Sequence, residues 1–198
     1  MYPFRLAVLP ASLVLLAACS QPAAQGDWVL DGSASRLNFV SIKAGDVAET
    51  HRFTDLSGSV APGGEAELVI DLASVDTGIG IRDERMREHF FEVADFPQAR
   101  ITARIDLATL AELAPGERTT LAVDATLDLH GASVPLAADV VVTDLNGTRV
   151  LVESAAPVAL HVGDFGLGDG LATLQDLAGL PSITPVTPVT FSLVFERG

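Results

Sequence analysis

From Leu37 onward the chain is organised by alternation. Leu37, Phe39 and Ser41 alternate with Asn38, Val40 and Ile42, and Ala66, Leu68 and Ile70 lead into Leu72. Ile101, Ala103 and Ile105 oppose Thr102, Arg104 and Asp106. Leu121, Val123, Ala125, Leu127 and Leu129 alternate with five residues running from Ala122 to His130. After a turn at His130-Gly131-Ala132 the pattern resumes in Val134, Leu136, Ala138, Val140 and Val142. Asn146-Gly147 is a short-loop hairpin signal ahead of Val150 and Val152, and Val189, Phe191, Leu193 and Phe195 form the last such run. Residues two apart share a face of a strand, so each run offers one apolar face to a common interior. The pattern predicts an all-β fold: an extended antiparallel β-barrel of about eight strands, since closure removes the exposed edges. At that size the interior is either filled by side chains or hollow enough for one small ligand. Small inward residues such as Ala103, Ala125 and Ala138 fit both cases.

Two segments break the rhythm. Residues 82–91 carry good helix formers, with Met86 and Phe90 four apart on one face and Asp83 and Arg87 spaced to pair across a turn. Pro97 holds Phe96 extended and ends the excursion. This predicts a short amphipathic crossover whose Met86, Phe90, Phe91 and Phe96 face apolar surface. Such a crossover either plugs one barrel end or also presents its aromatics to a ligand. In the second segment, residues 168–188, Leu171, Leu174 and Leu177 recur at helix-like spacing before Gly179 and Pro181 stop the helix.

Charge and the N-terminus add partners and place. Twelve Lys and Arg stand against 26 Asp and Glu, for a formal net charge of -14. That excludes a nucleic-acid surface, which needs clustered cations, and electrostatic adhesion to anionic lipid. Residues 1–18 hold one cation, Arg5, before an apolar run too short to span a bilayer, the shape of a secretory signal. The run ends in Leu16-Ala17-Ala18-Cys19, which resembles the bacterial lipoprotein lipobox; Cys19 is the single cysteine of the chain. The expected organisation is a signal peptide over 1–18, a tether over 19–26 and a barrel domain over 27–198. The resemblance implies acylation at Cys19 and anchoring to the periplasmic face of the envelope. With Ser20 following, it implies the outer membrane of a Gram-negative cell.

The sequence offers little for catalysis. His51, His89, His130 and His161 lie outside any HExxH or Cys/His metal pattern, and no nucleophile elbow, phosphate loop or dinucleotide fingerprint occurs. No catalytic residue, metal ligand or cofactor is expected.

Several stretches together resemble the YceI-like family. They are Ser74-Val75-Asp76-Thr77-Gly78, Arg82-Asp83-Glu84, Phe90-Phe91 and Phe96-Pro97, with Phe53-Thr54-Asp55-Leu56-Ser57-Gly58 before them. Leu127-Asp128-Leu129-His130-Gly131 and Pro135-Leu136 follow, so the resemblance runs from about Trp28 to Phe195. It implies a lipocalin-like barrel holding an isoprenoid or similar amphiphilic lipid. Members often carry a His at the end of the first long strand, where this chain reads Ile42-Lys43-Ala44, and Gly163–Pro188 reads as an insertion. The expected ligand-binding residues are Phe39, Phe53, Phe90, Phe91 and Phe191 for the chain of the lipid. Lys43 and Arg52 are the cations expected near its head. The alternative is a structural or partner-binding envelope protein with a filled barrel.

Overall fold

The computed structural model describes residues 27–198; Cys19 and the expected signal and tether lie outside them. Twelve strands form one antiparallel sheet. They are β1 (Trp28–Leu30), β2 (Arg36–Lys43), β3 (Val47–Phe53), β4 (Leu56–Val60), β5 (Glu65–Asp71), β6 (Val75–Asp76), β7 (Gln98–Arg104), β8 (Arg118–Leu129), β9 (Ala132–Asp144), β10 (Arg149–Ser154), β11 (Val158–His161) and β12 (Val186–Arg197). The ring runs β1-β4-β5-β7-β8-β9-β10-β12 and closes by pairing Trp28 with Arg197 through Leu30 with Phe195. The expected barrel of about eight strands is therefore present, with four further strands attached. β8 and β9, of 12 and 13 residues, make a wall roughly 40 Å long at the usual rise per residue.

β12 carries the extra strands. Its C-terminal half pairs with β10 and β1, and its N-terminal half with β2 and β11. β2 in turn pairs with β3, and β3 with β6. At the end where β2, β3 and β11 lie, the sheet splays, and helical segments occupy the opening: α1 (Gly80–Arg85) running into a π turn (Met86–Phe90), and α3 (Gly168–Ala178). A third helix, α2 (Ala108–Ala111), lies in the β7–β8 connection at the opposite end.

The crossover differs from a regular helix over 82–91. The Phe91 amide donates to the Met86 carbonyl, five residues back, so the last turn is widened. Met86, Phe90 and the adjacent Phe91 are all buried there, as the sequence predicts. The ion pair expected between Asp83 and Arg87 does not form. Asp83 is buried and accepts from the Thr77 amide and hydroxyl, while Arg87 donates to the Ala73 and Val75 carbonyls. Both side chains meet polar groups of the preceding loop that need partners, and this outweighs a weak exposed pair. The Ser74–Gly78 motif is thus a clasp joining crossover to sheet. Ser74 Oγ accepts from the Thr54 and Asp55 amides, and Asp76 accepts from the Gly78 amide and Arg52.

His130 and Gly131, at φ 52° and 78°, form the two-residue turn between β8 and β9. The His130 ring packs on Phe96 at 4.3 Å, its Nε2 meets Glu92 at 3.0 Å, and its Nδ1 donates to the Phe165 carbonyl. One turn thereby joins the end of the crossover to the segment entering α3. The Asn146-Gly147 hairpin uses four residues, 145–148, instead of two. The Asp144 carboxylate and Asn146 amide oxygens accept three of its backbone N–H groups, those of Asn146, Gly147 and Thr148, and that of Arg149.

Candidate ligand-binding cavity

The barrel is hollow. A cavity of about 700 Å³ runs through it, within the usual range of about 300–1,000 Å³ for small-molecule sites. Trp28, Val60, Leu107 and Leu110 line it at one end, and Lys43, Arg82 and Leu177 at the other. The small residues Ala103, Ala125 and Ala138 lie on its wall, so they leave space where a larger side chain would fill the barrel. Leu121, Val123, Leu136, Val150 and Val152 face inward yet keep some accessible surface, because they border this space instead of another side chain.

The structure brings six of the seven expected ligand-binding residues to the lining: Phe39, Phe53, Phe90, Phe91, Phe191 and Lys43. Four of the rings form a continuous path. Phe39 lies 5.4 Å from Phe53, Phe53 5.7 Å from Phe91, and Phe91 4.8 Å edge-on to Phe90. The crossover therefore both stops the splayed end and presents its aromatics to the cavity. α3 turns Leu171, Leu174 and Leu177 to the same space. Gly170 lets α3 approach, since a Cβ there would stand 2.6 Å from the His89 carbonyl oxygen.

Arg52 is not on the lining. It pairs with Asn38 across the ladder, one residue out of phase with Phe53, so it projects from the outer face. There its guanidinium binds Asp76 at 2.7 Å and is 55% exposed.

In place of Arg52 the structure assembles polar residues that the sequence reading left out. Across the β2–β3 ladder the inward pairs are Leu37–Phe53, Phe39–His51, Ser41–Glu49 and Lys43–Val47. The wall thus changes from apolar to charged along its length. Glu49 binds Lys43 at 2.6 Å and Arg82 at 2.8 Å through one oxygen, and Arg82 also donates to the Thr77 hydroxyl and carbonyl. His51 bonds Ser41 through Nε2 at 2.8 Å and stacks at 5.1 Å on Phe39. The Lys43 hydrogen bond, followed by the charge of Arg82, holds the Glu49 carboxyl below its ordinary range. Burial, then the Arg82 charge, lowers His51, which favours the neutral imidazole. Period two counted back from Phe53 would have reached His51 and Glu49. No local pattern could have reached Arg82, which arrives from α1. No group of three or more His, Cys, Asp or Glu suited to a metal occurs among the described residues.

A closed antiparallel barrel with a long apolar interior and one polar corner is a hollow, lipocalin-like barrel. The chain belongs to the YceI-like family: the YceI-like domain model matches residues 28–195. It is similar to a solved polyisoprenoid binding domain from Saccharophagus degradans, with 45% identity and a TM-score of 0.85 over 86% of this chain and 98% of that one. BcnA of Burkholderia cenocepacia shares the fold at 22% identity and a TM-score of 0.65, covering 83% of this chain and 98% of its own. The Campylobacter jejuni YceI protein shares it more distantly, at 16% identity and a TM-score of 0.53 over 75% and 84%. Comparison with curated protein sequences gives no match.

Proposed function

We propose that the protein is a binding protein for a long apolar chain, an isoprenoid or similar amphiphilic lipid, held along the barrel axis. The observation that carries this reading is the cavity of about 700 Å³, lined along most of its length by aliphatic and aromatic side chains, with its charged residues gathered at one end. A compact polar metabolite would leave most of that wall unmatched, whereas an extended hydrocarbon is buried along it. The 45% identity to a polyisoprenoid binding domain supports the same ligand class. No chemical step is required of the protein, which holds its cargo away from water. Trp28, the only tryptophan, lies on the lining with Arg197 stacked 4.5 Å from its ring, and reports occupancy by fluorescence. Delipidated protein titrated with a polyprenyl chain gives a saturable change. Absence of binding, with no lipid extracted from the native protein, returns the assignment to a partner-binding envelope barrel.

Anchoring belongs to the same proposal. Acylated Cys19 holds the barrel at the periplasmic face of the envelope, at the outer membrane, on a tether of residues 19–26. Two or more acyl chains suffice for stable anchoring. Cys19→Ser abolishes processing and moves the protein to the aqueous phase of a detergent partition. A variant that still enters the detergent phase refutes the anchor.

A further inference from the structure

The helices that stop the splayed end leave an opening between them. Among the residues lining the cavity, five are exposed: Ile79, Ile81, Leu177, Ala178 and Thr184. Ile79 and Ile81 stand where α1 begins, and Leu177 and Ala178 where α3 ends. The Thr184 amide donates to the Ile42 carbonyl near the end of β2. All five therefore belong to the splayed end. At the regular end the lining residues Trp28, Val60, Leu107 and Leu110 are half-buried. The cavity meets the outside between α1, α3 and the tip of the β2–β3 hairpin.

The opening has an aliphatic rim. Ile79, Ile81 and Leu177 are 47%, 56% and 43% exposed, and Val47, opposite Lys43 at the hairpin tip, is exposed beside them. This rim continues the apolar lining outward. The three cations of the lining, Lys43, Arg82 and Arg85, lie at the same end, and Glu49 pairs with the first two. Arg85 donates to the Leu177 carbonyl and has no carboxylate partner among the described residues. Aliphatic tips with long cationic side chains beside them settle at a bilayer interface: the tips enter the acyl boundary while the cations reach head-group phosphates. Asp46, Glu84 and Asp176 are exposed on the same elements, so net charge does not drive adhesion and aliphatic insertion must. A rim of four aliphatic side chains around a hole is small for a stable protein interface, which uses about 20–30 residues a side.

Taking the proposed lipid carrier as the starting point, the geometry points to a membrane-docking mouth at the splayed end. Ile79, Ile81 and Leu177 enter the surface of a zwitterionic phospholipid bilayer. The hydrocarbon of the cargo then passes between that membrane and the cavity without crossing water. Leaving a bilayer through water exposes the whole chain of such a lipid, and direct contact removes that barrier.

The solved relative is matched over 98% of its own chain, so the barrel of residues 27–198 stands as a domain and is testable free of any anchor. Its binding to phosphatidylcholine vesicles is measured by cosedimentation. Ile79→Asp and Ile81→Asp each weaken it about fivefold, and the double variant at least tenfold. Val29→Asp and Leu145→Asp, at comparably exposed aliphatic positions of the regular end, change it less than twofold. Loading of a polyprenol from vesicles is followed through Trp28 fluorescence. The wild-type rate rises in proportion to vesicle concentration. In the double variant the rate falls at least tenfold, while affinity for polyprenol without vesicles falls less than threefold. Circular dichroism checks folding, and the single variants with the wild-type rate law decide the matter if the double variant does not fold. A loading rate independent of vesicle concentration, or equal weakening by the two pairs of variants, overturns the docking mouth and leaves the carrier reading intact. So does a wild-type barrel that ignores vesicles and forms a dimer broken by Ile81→Asp. Vesicle binding at the rim without any binding of polyprenol overturns the carrier reading instead.

Discussion

The two ends of the barrel solve the same problem differently. At the end formed by β1, α2 and the 61–64 and 145–148 turns, the wall is a regular antiparallel ring, and the cavity meets Trp28, Leu107 and Leu110. At the other end β12 fans out to β2 and β11, the ring splays, and α1, the π turn and α3 fill the gap. The first end is held by backbone ladders, the second by side-chain packing and a clasp of polar contacts. Only the second brings Lys43, Glu49 and Arg82 together. The remaining acidic residue on the lining, Glu67, sits on the outward phase of β5 and pairs with Arg100. Regular sheet supplies the apolar length of the cavity, and its interruption supplies the chemistry.

Truncation should separate the ends most sharply. Phe90→Ala removes a buried ring from the helical end and is expected to cost about 3–5 kcal/mol. Leu110→Ala, which trims the one half-buried side chain of an otherwise exposed helix at the regular end, should cost no more than about 2 kcal/mol. Equilibrium denaturation measures both, and equal losses would erase the distinction. A smaller effect is expected at Gly170. A Cβ there would press on backbone atoms, 2.6 Å from the His89 carbonyl oxygen and 3.0 Å from Phe90 Cα, so Gly170→Ala should lose about 1–3 kcal/mol. Gly168→Ala, with open space around it in the same helix, should lose nothing measurable. The smallest effect is at Arg52. Its exposed pair with Asp76 should contribute about 0–1 kcal/mol, so Arg52→Ala leaves both stability and ligand titration close to wild type. A strong loss of binding in that variant would place part of the site on the outer face of the barrel.

The regular end was the more legible in the sequence. Long alternating runs such as Leu121–Leu129 and Val134–Val142 became β8 and β9 with the expected phase, because period two is a local property of the backbone. The short strands β1, β6 and β11 carry too few residues for a period and are defined by what they pair with. Aromatic lining residues were legible for the same reason as the long strands, since hydrophobicity and phase coincide. Polar residues on an inward phase were not, because His51 and Glu49 carry no hydrophobic signal, and only the phase counted back from Phe53 marks their side. Arg52 shows the converse: a cation close in sequence to the site, turned away by a single position. The Asp83 and Arg87 spacing was correct for a helix pair, yet tertiary partners at Thr77, Ala73 and Val75 were nearer.

β12 follows in the chain every strand it pairs with: β1, β2, β10 and β11. All four present a bare edge until it arrives, and β1 waits across more than 150 residues of sequence for its partner. Such contacts are slow to form, because the entropy of closing long loops comes before any reward. During that interval the half-built sheet offers unpaired N–H and C=O groups to any passing extended chain. A chain shortened before Val186 would keep its long hairpins and helices but have no means of sealing, so its fate would be association with its neighbours. Ring closure in this protein is also an order of events in time.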